Sequence, residues 1–157
     1  MSYSVAPADP TSDEARDLLA ESQALMRSLF PPEANHYLEA EALAGPGMRF
    51  WILRDAAGTA TGCVALADKG DYGEIKSMFV AEDARGSGAA DALMAELLAA
   101  ARAAGLPRLR LETGDRLTRA HGFYRRHGFA PCGPFGAYEA GPHSLFFERA
   151  VGADGGN

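Results

Sequence analysis

Apolar and polar positions along this chain switch between a period near two and a period near 3.6, and that switching predicts a mixed fold. SYSVAP alternates as a short strand. Thr11 or Ser12 then offers an N-cap to EARDLLAESQALMRSLF, where Leu18, Leu25 and Leu29 fall near helical spacing. Pro31 and Pro32 stop that helix, because proline lacks the N–H the next turn needs. PPEANHYLEAEALAGPG reads as a loop holding one helical turn or a short helix. MRFWILRDA and TATGCVALA are strands joined as a hairpin at Ala57 and Gly58, and DYGEIKSMFV is a further strand.

The stretch VAEDARGSGAADALM opens a helix through Ala104, with Leu93, Met94, Leu97, Leu98 and Ala101 as its apolar stripe. Gly105 and Pro107 end it. RLRLET alternates as a strand, TRAHGFYRRHG is a short helix stopped by Gly128, and FAPCGPF and HSLFFERAV are two last strands. The order β-α-(α)-β-β-β-α-β-α-β-β predicts a mixed α/β sheet with helices on its faces rather than a regular βαβ repeat.

Composition narrows the class. A chain of 157 residues, 47% of them apolar, is expected to form one domain over 1–151, with GADGGN (152–157) a disordered tail. No apolar run nears the ~20 residues a bilayer span needs, and MSYSVAPADP lacks the basic start and apolar run of a leader, so a cytoplasmic protein with no membrane partner is expected. The only cysteines, Cys63 and Cys132, suit small buried hydrophobes better than a disulfide framework or a metal centre. A net charge of −6 argues against general nucleic-acid binding. Residues 1–80 carry 6 Lys+Arg against 12 Asp+Glu, and residues 81–157 carry 9 against 9. The first balance suits a cationic acceptor, the second an anionic ligand.

The chemistry concentrates in Arg85-Gly86-Ser87-Gly88. Glycine weakens a helix by up to ~1 kcal/mol relative to alanine, so two of them at a helix mouth call for a reason. A P-loop needs Lys and then Ser or Thr after its second glycine, where Ala89 and Ala90 stand. A dinucleotide fingerprint needs glycine at Asp91. What remains, besides a plain turn, is an anion cradle. The helix N-terminus and Arg85 supply positive charge, and Gly86, Ser87, Gly88, Ala89 and Ala90 are small enough for a pyrophosphate to reach the backbone.

Arg85-x-x-Gly88-x-Ala90, after a strand ending in Met78-Phe79-Val80, resembles the acetyl-CoA-binding motif of the GNAT N-acetyltransferase superfamily. Tyr124-Arg125-Arg126-His127-Gly128-Phe129 resembles the family's Tyr-x-x-x-Gly-Phe signature, and the resemblance runs over roughly residues 3–150. GEIKSMFV, LRLETG and CGPFGAY…SLFF are similar to a bacterial subgroup whose acceptor is unassigned.

The resemblance implies a splayed, mostly antiparallel sheet of six to seven strands flanked by helices on both faces. It implies acetyl-CoA as co-substrate, no metal, and acetyl transfer to the primary amine of a small molecule or peptide by direct attack in a ternary complex. The pantetheine arm would enter between GEIKSMFV and RLRLET and pair with the backbone near Met78, Phe79 and Val80. An N–H around Phe79 or Val80 would then polarise the thioester carbonyl.

An alkyl amine with a lysine-like pKa is only about 0.04% neutral at pH 7, so a base or water relay is expected. Glu74 is the first candidate and Glu112 the second; both can instead pair with Lys76 or Arg110. Tyr124 is expected beside the departing sulfur, or else packed against Phe123 and Phe129. Arg125 or Arg126 could meet a CoA phosphate, and His36 and Glu33 could line the acceptor pocket. Leu117 stands where many members carry the Asn that holds pantetheine, which leaves that role to Thr113 or the Gly114 backbone. Ser87 replaces a commoner basic or Gln residue. Homodimers are common in the family. A non-catalytic acyl-CoA-binding or sensing module on the same fold is the alternative function.

Overall fold

A computed structural model describes residues 2–34 and 38–152. The strands are β1 (Ser4–Pro7), β2 (Met48–Arg54), β3 (Ala60–Asp68), β4 (Gly73–Val80), β5 (Arg108–Gly114), β6 (Ala130–Cys132) and β7 (Ser144–Ala150). The helices are α1 (Asp13–Leu29), α2 (Ala40–Leu43), α3 (Ala89–Ala103) and α4 (Thr118–Arg126), with 3₁₀ turns at Pro32–Ala34 and Glu82–Ala84. Ser12 rather than Thr11 caps α1, its Oγ accepting from Ala15 N at 3.3 Å, while Thr11 Oγ1 donates to Asp9 Oδ1 at 2.7 Å. Residues 153–157 of the expected tail lie outside the described residues.

The seven strands form one sheet in the order β1-β2-β3-β4-β5-β7-β6. Every pairing is antiparallel except β4 with β5. Buried residues divide by face. Ala15, Leu18, Leu19 and Leu43 of α1 and α2 pack with Phe50, Ile52, Cys63 and Phe79. Leu93, Met94, Leu97 and Tyr124 of α3 and α4 pack on the other face with Trp51, Val64, Leu111 and Phe147. Helices therefore cover both faces, and the strand cores are apolar on each, as a buried sheet requires.

Two irregularities in β4 prepare the functional region. Its parallel register with β5 holds only at Gly73–Leu109 and Glu74–Arg110, so the two strands part from there to Val80 and Gly114. In addition, Cys63 faces Phe79 and Ala65 faces Lys76, so three steps along β4 match two along β3. That is a β-bulge, and Ser77 within it has φ 55, the sole positive φ outside glycine among the described residues. One extra residue exchanges the faces. Ile75 packs with the α3 core, while Phe79, four residues on, packs with the α1 core and Met78 turns toward α4.

Candidate active site

The parted strands border two connected chambers. The larger, of ≈ 580 Å³, lies between the end of β4, the loop into α3 and the start of α4. Its wall carries Arg85, Arg116, Arg119 and Arg126 against a single acid, Asp91. The smaller, of ≈ 150 Å³, lies in the opening itself and is lined by Lys76, Glu112, Thr113 and Phe30 among others. Ser22, Met26, Met78, Leu117, Ala120 and Tyr124 line both, so the chambers meet there.

The cradle at α3 is main chain. Gly86 has φ 77 and Gly88, the cap residue of α3, has φ 90, in the left-handed region that L side chains avoid. A Cβ on either would meet nothing within 4 Å, so conformation rather than crowding selects glycine, and the space before the helix stays open. The first N–H groups of α3 have no partner within the helix and, with its dipole, favour an anion. Arg85 Nε donates to Val80 O at 3.0 Å and its guanidinium lies 5.7 Å from the Phe79 ring centroid, which ties the loop to the strand. Ser87 turns away: its Oγ bonds Ala84 O and sits 2.5 Å from Tyr3 Oη. Ala89 is buried in the core, so among these small residues Gly86, Gly88 and Ala90 line the chamber.

Tyr124 is buried, and its Oη donates to Met78 Sδ at 3.6 Å. Burial pushes its phenol well above the ordinary tyrosine value, so it stays protonated at neutral pH. Phe123 and Phe129 pack on it edge to face, with centroids at 5.4 and 5.5 Å; the packing and chamber positions coexist.

The two carboxylates are placed differently. Glu112 lines the smaller chamber and accepts from Ser144 Oγ at 2.9 Å. Glu74 is only 5% exposed and sits where β4 and β5 still pair, accepting from Tyr138 Oη at 2.6 Å. Tyr138 in turn accepts from Lys76 Nζ at 2.7 Å, and that ammonium is 3.6 Å from Glu74 Oε2. Burial first, then the Glu74 hydrogen bond, pushes the Tyr138 phenol strongly upward. Arg110 pairs with Glu148 at 3.0 Å rather than with Glu74 or Glu112.

Thr113 is buried and lines the smaller chamber; Gly114 O lies 2.8 Å from His121 Nε2 and accepts from Leu117 N at 3.2 Å. A Cβ on Gly114 would overlap the Phe30 ring, so glycine there lets the end of α1 seat against β5. Glu33 is exposed and lines neither chamber, and His36 lies outside the described residues. Arg126 lines the larger chamber, whereas Arg125 lies over Phe147 at 5.4 Å.

Sequence reasoning missed Arg116, Arg119, Tyr138 and the Ser77 bulge. Arg119 and Arg126 stand seven apart on α4, a one-face spacing that was available, and Arg116 lies in the turn before that helix. Tyr138 gave no comparable signal, since it comes from the irregular segment between β6 and β7. Cys63 is fully buried, and burial pushes its thiol up to about 12. No group of three or more potential metal ligands occurs among the described residues, and none of the described helices is long and apolar enough to cross a membrane.

A sheet opened between two parallel strands, beside a basic cleft at a helix mouth, offers an anionic ligand and a second molecule adjoining sites. The chain belongs to the Acetyltransferase (GNAT) family, whose sequence profile matches residues 14–129, and it is an acyltransferase. It is 41% identical to the IAA acetyltransferase of Azospirillum brasilense, over 94% of this chain and 97% of that one. Its fold matches a candidate acyl-CoA N-acyltransferase from Klebsiella pneumoniae with a TM-score of 0.81 at 28% identity, covering 95% and 97% of the two chains. A GNAT-family acetyltransferase from Elizabethkingia anophelis, solved with acetyl-CoA bound, shares the fold with a TM-score of 0.68 at 18% identity, covering 95% and 98%.

Proposed function

We propose that the protein transfers acetyl from acetyl-CoA to a primary amine by direct attack, with both substrates bound at once. The meeting of two chambers at Tyr124 carries this reading, because it offers two molecules one point of contact. The larger chamber fits acetyl-CoA: four arginines and the open N-terminus of α3 match its phosphates, and parted strands leave room for its amide-bearing arm. Acetyl-CoA supplies the activated acetyl group when bound.

The chain's own groups then have distinct tasks. Gly86, Gly88 and the α3 backbone hold phosphate, with Arg85, Arg116, Arg119 and Arg126 around it. The β4 backbone from Met78 to Val80 holds the arm and directs an N–H at developing negative charge. Tyr124 keeps its proton and donates a hydrogen bond to the departing sulfur; full transfer is uphill, since an ordinary phenol near ~10 is a weaker acid than a thiol near ~8.5. Glu112, on the acceptor side, removes the amine proton. Glu74 lines neither chamber and acts on the acceptor through Tyr138 and Lys76.

Thermal melting with acetyl-CoA and CoA, followed by thiol release with a panel of amines, tests this reading. At ~100 times its dissociation constant acetyl-CoA adds about 2.7 kcal/mol of stability, a visible shift. Glu112→Gln is expected to keep that shift and to lower kcat by about 100-fold. Equal turnover in the variant would move the base elsewhere, and no shift with either CoA species would remove the proposal.

A further inference from the structure

The first turn of α3 carries an acid in a wall that is otherwise positive. Asp91 lines the larger chamber beside Arg126. It stands three residues after the cap residue Gly88, where the acid of a capping box reaches back to the cap N–H. Here the cap has no side-chain hydrogen bond. Asp91 turns across to α4: its Oδ1 accepts from His127 Nε2 at 2.7 Å and lies 3.0 Å from Arg126 Nη1. The imidazole also packs on the Phe123 ring, centroids 4.7 Å apart, and the His127 carbonyl accepts from Arg149 Nη1 at 2.8 Å. The charged groups around His127 are therefore Asp91 from α3, Arg126 on α4 and Arg149 from β7.

We propose that Asp91 is a positioning residue: braced by His127, which stands outside the chamber lining, it holds Arg126 on the chamber wall toward the phosphates of acetyl-CoA. The proposal rests on the reading of the larger chamber as the acetyl-CoA site. Because Asp91 turns away from its own helix, the α3 N–H groups stay available to the ligand while the acid is spent on holding two donors.

Asp91 offsets the charge of Arg126, so what it contributes is placement rather than net attraction. The His127 hydrogen bond, with Arg126 adding to it, holds the Asp91 carboxyl below the usual range, so the acid keeps its charge at neutral pH. An arginine and a phosphate a few ångströms apart at a wet surface interact weakly enough that the expected change on losing that placement is roughly threefold to tenfold.

Calorimetric titration of acetyl-CoA into the wild-type protein, Asp91→Asn and Asp91→Glu tests it. Asp91→Asn should bind roughly fivefold more weakly despite losing a negative charge, with Asp91→Glu partly restoring affinity. In turnover the KM for acetyl-CoA should move and kcat should not. Asparagine binding as tightly as aspartate, or tighter, would mean that Asp91 only repels phosphate and would overturn the proposal. A wild-type protein that binds no acetyl-CoA would instead overturn the reading of the chamber, and the positioning role with it.

Discussion

The two chambers are built in opposite ways. The larger is built around backbone, a helix mouth with two glycines of positive φ, and around arginines from the loop before α3, the turn after β5 and α4, with α1 closing one wall. The smaller is made of side chains gathered from distant strands and loops, with Lys76 bonded to Tyr138 across 62 positions and Ser144 to Glu112 across 32. A phosphate is recognised by N–H groups and positive charge that any sequence of small residues can present. An acceptor is recognised by particular side chains, which are free to differ between relatives while the fold stays the same.

The comparison breaks most visibly at the junction. Tyr124→Phe removes one hydroxyl and little else, because the ring remains packed between Phe123, Phe129 and Phe147. If Tyr124 serves transfer rather than either binding site, kcat falls by about 100-fold while acetyl-CoA affinity and melting temperature hold. Unchanged kcat under conditions where chemistry limits the rate would return Tyr124 to a packing role.

Next comes the cradle. Gly88→Val forces a β-branched residue into φ 90 at the mouth of α3. The left-handed backbone costs roughly 1–2 kcal/mol for an L residue, and relief of that strain would rotate the N–H groups off the ligand. Acetyl-CoA affinity should fall about tenfold or more, with acceptor KM little affected. A variant that loses stability but binds normally would show the backbone cradle to be dispensable.

These expectations also explain what was legible. The alternation of RLRLET and the stripe from Leu93 to Ala101 gave β5 and α3 because one period and one buried face fix an element. The Arg85 loop was legible because positive φ at a helix mouth leaves glycine as its signature. The Ser77 bulge was not, since Ser77 adopts its φ of 55 under tertiary pairing with β3 and carries no turn residue to announce it. The acceptor side was hidden for the same reason on a larger scale. Glu74 and Glu112 were readable as acids near the start of one strand and near the end of another, but which of them faces a chamber depends on Tyr138 and on where β4 and β5 stop pairing.

Tyr138→Phe probes that hidden half. The substitution leaves Glu74, 5% exposed, without its phenol donor. Loss of a hydrogen bond to a buried charge costs about 2 kcal/mol, which lowers the melting temperature by about 4–8 °C in a domain of this size. Acetyl-CoA affinity should be unaffected, because Tyr138 lines neither wall of the larger chamber. A drop in acceptor kcat/KM with a shifted pH profile would give Glu74 a part in proton removal. Lost stability alone would confine it to architecture.

The smallest expected effect concerns the cysteines, and it separates direct attack from a relayed acyl group. An acyl-enzyme needs a thiolate near the junction. Cys63 is fully buried on the α1 face, its thiol donating to Ser77 O at 3.4 Å, with burial raising its pKa to about 12. At pH 7 a thiol of that pKa is about 0.001% ionised, far below a free cysteine. Cys132 lies on the short edge strand β6, is raised in the same direction by burial and then by Glu148, and lines neither chamber. Alkylation of the folded protein at pH 7 should therefore leave turnover within about twofold of the untreated enzyme, and intact-mass spectra after incubation with acetyl-CoA alone should show no acetyl adduct. A cysteine-linked acetyl group that disappears on adding amine would replace the ternary complex with a two-step route, and would require the buried face around Ser77 to open during each turnover.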